Sequence, residues 1–135
     1  MKRGPQVREK KTLSITGLLD TVRTVFSKIT APVNGRKLSF ADCLMSALAM
    51  FSLKSPSLLA FDQGRAEPIV QENLRTLFRI EKVPCDTYMR EVLDEVNPKE
   101  LRECYLAVFH EAQRGKLLER YDFLGGYLCL VDGTE

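Results

Sequence analysis

Asp132 closes an apolar run, Tyr127-Leu128-Cys129-Leu130-Val131, and is followed at once by Gly133 and Thr134. A carboxylate at the C-terminal end of a buried strand, freed by a glycine, is one way to hold a metal ligand rigidly at a sheet edge. Asp-Gly is also a turn dipeptide, and taken alone it carries the turn reading. His110 is the single histidine, so no second imidazole shares a metal with it. It stands beside Glu111 near a helix end, where a charged imidazole interacts well with the dipole. Cys43, Cys85, Cys104 and Cys129 form no C-x-x-C pair. That spacing suggests neither a zinc site nor a disulfide framework, and reduced, mostly buried thiols are expected. Asp94, Glu95, Glu100 and Glu103 read as a solvated face and helix caps.

The net charge of +2 hides an asymmetry. Residues 1–13 carry Lys2, Arg3, Arg8, Lys10 and Lys11 against Glu9 alone, five minus one or +4, which leaves −2 for the rest. A basic arm on a near-neutral body suits contact with phosphates, whatever the base sequence. A solvated tail is the plainer alternative for such an end. No apolar run approaches the roughly 20 residues of a membrane span, and no apolar stretch follows the basic start as in a secretory signal. A cytosolic protein is therefore expected.

The elements that must position these residues read mainly as helices. Leu18, Leu19, Val22, Val25, Phe26 and Ile29 recur at helical spacing over 16–29. Ser39 caps a second helix, with Asp42 three residues on in capping-box position. From Phe40 to Leu53 the only charge is Asp42. A helix apolar nearly all round belongs at the centre of a core. Ser55-Pro56-Ser57 stops it and starts a short helical segment through Phe61. Val70, Leu74, Leu77 and Phe78 then mark a helix over 69–79, and Met89, Val92, Leu93 and Val96 another over 86–96, joined by a tight connection. Pro84 forces an extended residue before it, and Asp86 or Thr87 caps the second of these helices. Asn97-Pro98-x-Glu100 opens a helix carrying Leu101, Tyr105, Val108 and Ala112, which Gly115 ends or loosens. After Tyr121 the pattern becomes two strands about a Gly125-Gly126 turn, the second a run typical of burial on both faces.

The helix pair within 69–96 is the candidate DNA reader, since a helix-turn-helix sets residues near the start of its second helix against base edges. Asp86, Thr87, Tyr88, Arg90 and Glu91 are expected to point outward, with Arg75 and Arg79 placed to meet phosphates. The competing reading is an ordinary helical hairpin in which Asp86 and Asp94 flank Arg90 at i±4.

Three blocks in order resemble bacterial insertion-sequence transposases of the DDE class, which carry an RNase H-like catalytic domain. They are L-S-F-A-D-C-L-M-S-A-L-A-M-F-S-L-K-S-P-S-L-L-A-F-D at 38–62, N-L-R-T-L-F-R-I-E-K-V-P-C-D-T-Y-M-R-E-V-L-D-E-V at 73–96, and L-G-G-Y-L-C-L-V-D-G-T-E at 124–135. The resemblance implies a mainly α fold: a helical N-terminal DNA-binding bundle, then the first β-hairpin of an incomplete RNase H-like α/β domain. The expected division is a basic arm at 1–13, a helical domain at 14–114 and the start of the catalytic domain at 115–135. It implies one catalytic, metal-holding residue, Asp132, with the rest of the triad beyond Glu135 and the chain cut after its first aspartate. The implied cofactor is Mg²⁺, bound poorly here because a two-metal site needs several carboxylates. The implied partner is double-stranded DNA at the element's terminal inverted repeats, with a homodimer as an option and no membrane. The DNA contacts expected are Lys2, Arg3, Arg8, Lys10, Lys11, Arg75, Arg79, Thr87 and Arg90. A small helix-turn-helix regulator without nuclease chemistry is the alternative, and a helical interaction module a third reading.

Overall fold

Ser14 sets the start of the first helix, its hydroxyl accepting the Gly17 N–H at 3.0 Å. The computed structural model describes residues 11–32 and 38–128, and in it this helix, α1, spans Ile15–Phe26. It ends before the expected Ile29 because the chain tightens to i→i−3 bonds, Lys28 to Val25 and Ile29 to Phe26. The tightened turn still packs Ile29 against the core, beside the buried Val22 and Phe26.

Helix α2 (Phe40–Ser52) is capped by Ser39, as its sequence suggests. Its first two turns are buried all round, with Ala41, Asp42, Cys43, Leu44, Met45 and Ser46 inside. Ala49, one turn on, is buried as well. Phe51 and Leu53 emerge at the far end, where Lys54 takes a left-handed φ of 57° and the Ser55 N–H returns to the Met50 carbonyl at 3.0 Å. This is a Schellman ending, and it reverses the chain towards α3. Ser57 caps α3 (Leu58–Gly64), and Phe61 anchors it in the core.

Pro68 occupies the first turn of α4 (Pro68–Thr76). Beyond it, Arg79 adopts φ 57°, which lets the Ile80 N–H reach the Leu74 carbonyl at 3.0 Å and drops Ile80 into the core. Helix α5 (Asp86–Leu93) comes next, then a 3-10 turn at Pro98–Leu101 that runs into α6 (Arg102–Arg114). Asn97 caps that turn by accepting the Lys99 N–H at 3.1 Å, in keeping with the Asn-Pro-x-Glu signal.

The core forms where α1 and α5 pack on α2, with α3 against α5 and α6 along α1. Met45, Phe61, Leu74, Met89 and Val92 are its largest enclosed side chains. Each contributes about 1.5–3 kcal/mol over its exposed state.

The hairpin differs from expectation. Strand β1 (Asp122–Phe123) pairs antiparallel with β2 (Gly126–Tyr127), Asp122 facing Tyr127 and Phe123 facing Gly126. The turn is therefore Leu124-Gly125, one residue nearer the N-terminus than Gly125-Gly126, with φ of 54° and 83°. Two positive φ values make it the type I′ turn, whose twist matches the flanking strands. Both faces of the described strands are exposed, so the expected burial on both faces is not met there. Cys129 to Val131, like Asp132, lie outside the described residues.

Candidate nucleic-acid interface

Helix α5 divides sharply between its two faces. Met89 and Val92 are wholly buried at 0% exposure, while Thr87, Arg90, Glu91 and Asp94 all face solvent. The separation follows from 3.6-residue periodicity: positions 87, 90, 91 and 94 share one side of the helix. Tyr88, expected to point outward with them, is half-buried. It lies between the two faces, next to Met89. The cap is also shifted, since Cys85 holds the N-cap position and Asp86 is the first helical residue. The Asp86 carboxylate accepts the Thr87 N–H at 2.7 Å and the Thr87 hydroxyl at 3.2 Å. That occupation takes Asp86 away from Arg90, which forms no ion pair among the described residues. The i±4 flanking acids thus leave Arg90 available.

The connection between α4 and α5 is not tight. It spans residues 77–85, and Phe78, Ile80 and Pro84 within it are buried. A helix-turn-helix turn has 3–4 residues. Here the longer connection passes through the core, and α5 seats on α2 and α3. The residue that holds this arrangement is Asp42, 2% exposed. One carboxylate oxygen accepts from Arg23 Nη2 at 2.8 Å. The other accepts the backbone N–H groups of Glu81 at 3.2 Å and Lys82 at 3.3 Å. Asp42 therefore does more than its capping-box position implies. Its own N–H reaches Ser39 Oγ at 3.4 Å, but its side chain turns inward to tie α1 to the segment leading into α5.

The two expected phosphate contacts on α4 are partly engaged. Arg75 is exposed and donates through Nε and Nη2 to Glu72, at 3.2 and 2.8 Å. The hydrogen bond and the charge of the Glu72 carboxylate raise the Arg75 pKa above its usual value. Arg79 lies past the helix end, 3.5 Å from Asp20 of α1 in an exposed pair. Exposed pairs of this kind are worth little and exchange readily for another anion. Lys2, Arg3, Arg8 and Lys10 lie outside the described residues. Lys11 stands in a 3-10 turn, Lys11–Leu13, directly before α1.

A cleft of about 440 Å³ opens between α4 and the 80–83 segment, lined by Gln71, Arg75, Glu81, Lys82 and Arg65 among others. The sequence does not disclose it. Its walls come from four separate stretches of chain, and only Arg75 stands out by residue type and spacing. The remaining chemistry-bearing groups stay apart. His110 is exposed and lines a cleft with Lys28, Glu100 and Glu103. Among the described cysteines Cys43 and Cys104 are buried, in line with the expectation of mostly buried thiols, and Cys85 is exposed; burial pushes the Cys104 thiol up in pKa. Among the described residues no set of three or more His, Cys, Asp or Glu side chains converges to hold a metal ion. Nor is any described helix long and apolar enough to cross a membrane. No family model, curated protein or solved structure matches the chain.

Proposed function

We propose that this chain is the DNA-binding N-terminal region of a DDE-class insertion-sequence transposase. The observation that carries the binding reading is the two-faced α5, with Met89 and Val92 at 0% exposure and Thr87 and Arg90 on the opposite, solvent-facing side. A helix pinned so firmly on one face presents the other as a rigid reader. Thr87 and Arg90 are residue types that hydrogen-bond base edges, Arg to guanine above all. The basic residues of 1–13 add sequence-independent attraction to phosphates. The transposase assignment itself rests on the resemblance over 38–62, 73–96 and 124–135. It gives Asp132 the metal-holding role in the complete enzyme. Mg²⁺ chemistry of that class needs several carboxylates held together, and among the described residues no set of three or more His, Cys, Asp or Glu side chains converges.

Selection of bound sequences from a randomised duplex pool tests the binding reading. The parent chain should enrich a motif, Arg90→Ala should blur it, and Arg75→Ala should keep it at lower affinity. A parent chain that enriches nothing would end the reading. The transposase assignment is tested in a complete transposase that contains this sequence. There Asp132→Asn should abolish strand cleavage and leave DNA binding nearly intact, because asparagine keeps the shape without the charge that holds a hard cation. Cleavage within a few-fold of the parent would remove Asp132 from the site.

A further inference from the structure

We infer that the cleft between α4 and the 80–83 segment seats one backbone phosphate of the duplex whose groove α5 enters, an inference that rests on the DNA-binding reading above. Three groups there can donate. Arg75 binds Glu72 through Nε and Nη2, which leaves Nη1 unengaged among the described residues. The Lys82 ammonium has no partner among the described residues, and the Gln71 side chain lines the same cleft. Arg65 is part of the wall, held by Asp62 and by the Val83 carbonyl, to which its Nη1 donates at 3.0 Å. The anion is bound by side chains alone, because the Glu81 and Lys82 N–H groups are spent on Asp42.

That engagement is useful. It pins the backbone of Lys82 to the core, so the ammonium extends from a fixed point instead of a loose loop. Lys82 lies four residues before Asp86, the start of α5, a span of at most about 14 Å of chain. The major groove is about 12 Å wide. A phosphate held beside Lys82 is therefore near enough to α5 to belong to the duplex whose groove Thr87 and Arg90 would enter. Glu81 lines the same cleft and opposes the anion. Its charge sets the sign of a second test.

Binding of the full chain to a labelled duplex, titrated by fluorescence anisotropy across salt concentrations, reads the seat directly. The Arg75→Ala, Lys82→Ala double variant should engage one phosphate fewer, so its log–log salt slope becomes shallower by about 0.9. A fourfold rise in salt then costs it about 3.5-fold less affinity than it costs the parent. Glu81→Gln should tighten binding at low salt by about two- to fivefold, the range of an exposed charge interaction. Both substituted cations are exposed, so thermal melts unchanged from the parent separate a missing phosphate ligand from an unfolded chain. An unchanged slope in the double variant, or no tightening from Glu81→Gln, overturns the phosphate seat while the α5 reading stands. A parent chain that binds no duplex even at low salt overturns both.

Discussion

Asp42 carries three bonds from a nearly sealed position, and removing it leaves Arg23 and two backbone N–H groups without their acceptor. Breaking one side of a buried pair costs about 3–5 kcal/mol, against an exposed pair's near-zero worth. Asp42→Ala should lower stability by that amount in urea unfolding, while Asp20→Ala, which breaks only the exposed Arg79 pair, should change it by under about 0.5 kcal/mol. Equal effects would show that Asp42 is not the tie described. Gly115 and Lys116 make a second contrast. Gly115 has an ordinary φ of −83°, so its lack of a Cβ serves close packing: a Cβ there would lie 2.0 Å from Leu13 Cδ1. Lys116 takes the left-handed φ of 61° in the Schellman ending of α6, where glycine is usual. Lys116→Gly should raise stability by about 1 kcal/mol, and Gly115→Ala should lower it by displacing Leu13. If Gly115→Ala is the stabilising change instead, the approach of Leu13 is not what selects glycine at 115.

Element positions were legible where caps and periodicity agreed. Ser39 and Asn97, read as caps from the sequence, each cap the helix or turn that they precede, whereas the Ser14 cap is not read there. Boundaries moved where tertiary contacts intervened. Helix α4 stops at Thr76 because Phe78 and Ile80 are needed in the core, and only a non-helical path through Arg79 delivers both. The hairpin moved by one residue for a local reason, the positive φ shared by Leu124 and Gly125. Leu124 is 93% exposed in a conformation that disfavours side chains with a Cβ. Leu124→Asn should therefore steady the turn by about 1 kcal/mol, read as slower amide exchange at Gly126 and Tyr127. As it stands, the two-residue pair 122–123 and 126–127 should exchange faster than any part of α2, since both of its faces meet water. A chain ending at Arg120 should be more soluble at an unchanged melting temperature. Protection in the hairpin equal to that of α2 would mean that another surface covers it.

At the scale of the molecule, charge and core are separate along the chain. The helical core is held by apolar packing and Asp42, while the +4 belongs to residues 1–13, ahead of α1. Binding and stability should respond to different parts. Deleting 1–10 removes Lys2, Arg3, Arg8 and Lys10 and should leave the melting temperature near that of the parent. It should flatten the salt dependence of duplex binding by a slope of roughly 2.7, about 0.9 for each of the net three positive charges lost once Glu9 is counted. Binding that survives the deletion unchanged would assign all the affinity to α5 and the cleft beside α4. The chain alone should cleave no DNA with Mg²⁺ or Mn²⁺, because two-metal chemistry needs several carboxylates in one place. Nicking that disappears on Asp132→Ala would overturn that expectation.

The sequence alone determined which segments are helical, that α2 enters the core, and that α5 turns Thr87 and Arg90 outward. Caps and 3.6-residue periodicity are local properties, written in residues within a turn of one another. Only the tertiary structure decided what Asp42 does, since its three partners lie 19, 39 and 40 residues away along the chain. It also decided that the α4–α5 connection runs through the core, and that Gln71, Arg75 and Lys82 border one cleft. A buried carboxylate must find its donors wherever the fold brings them, because desolvation without a partner costs more than any local preference supplies. That requirement acts through space, and no spacing along the chain encodes it.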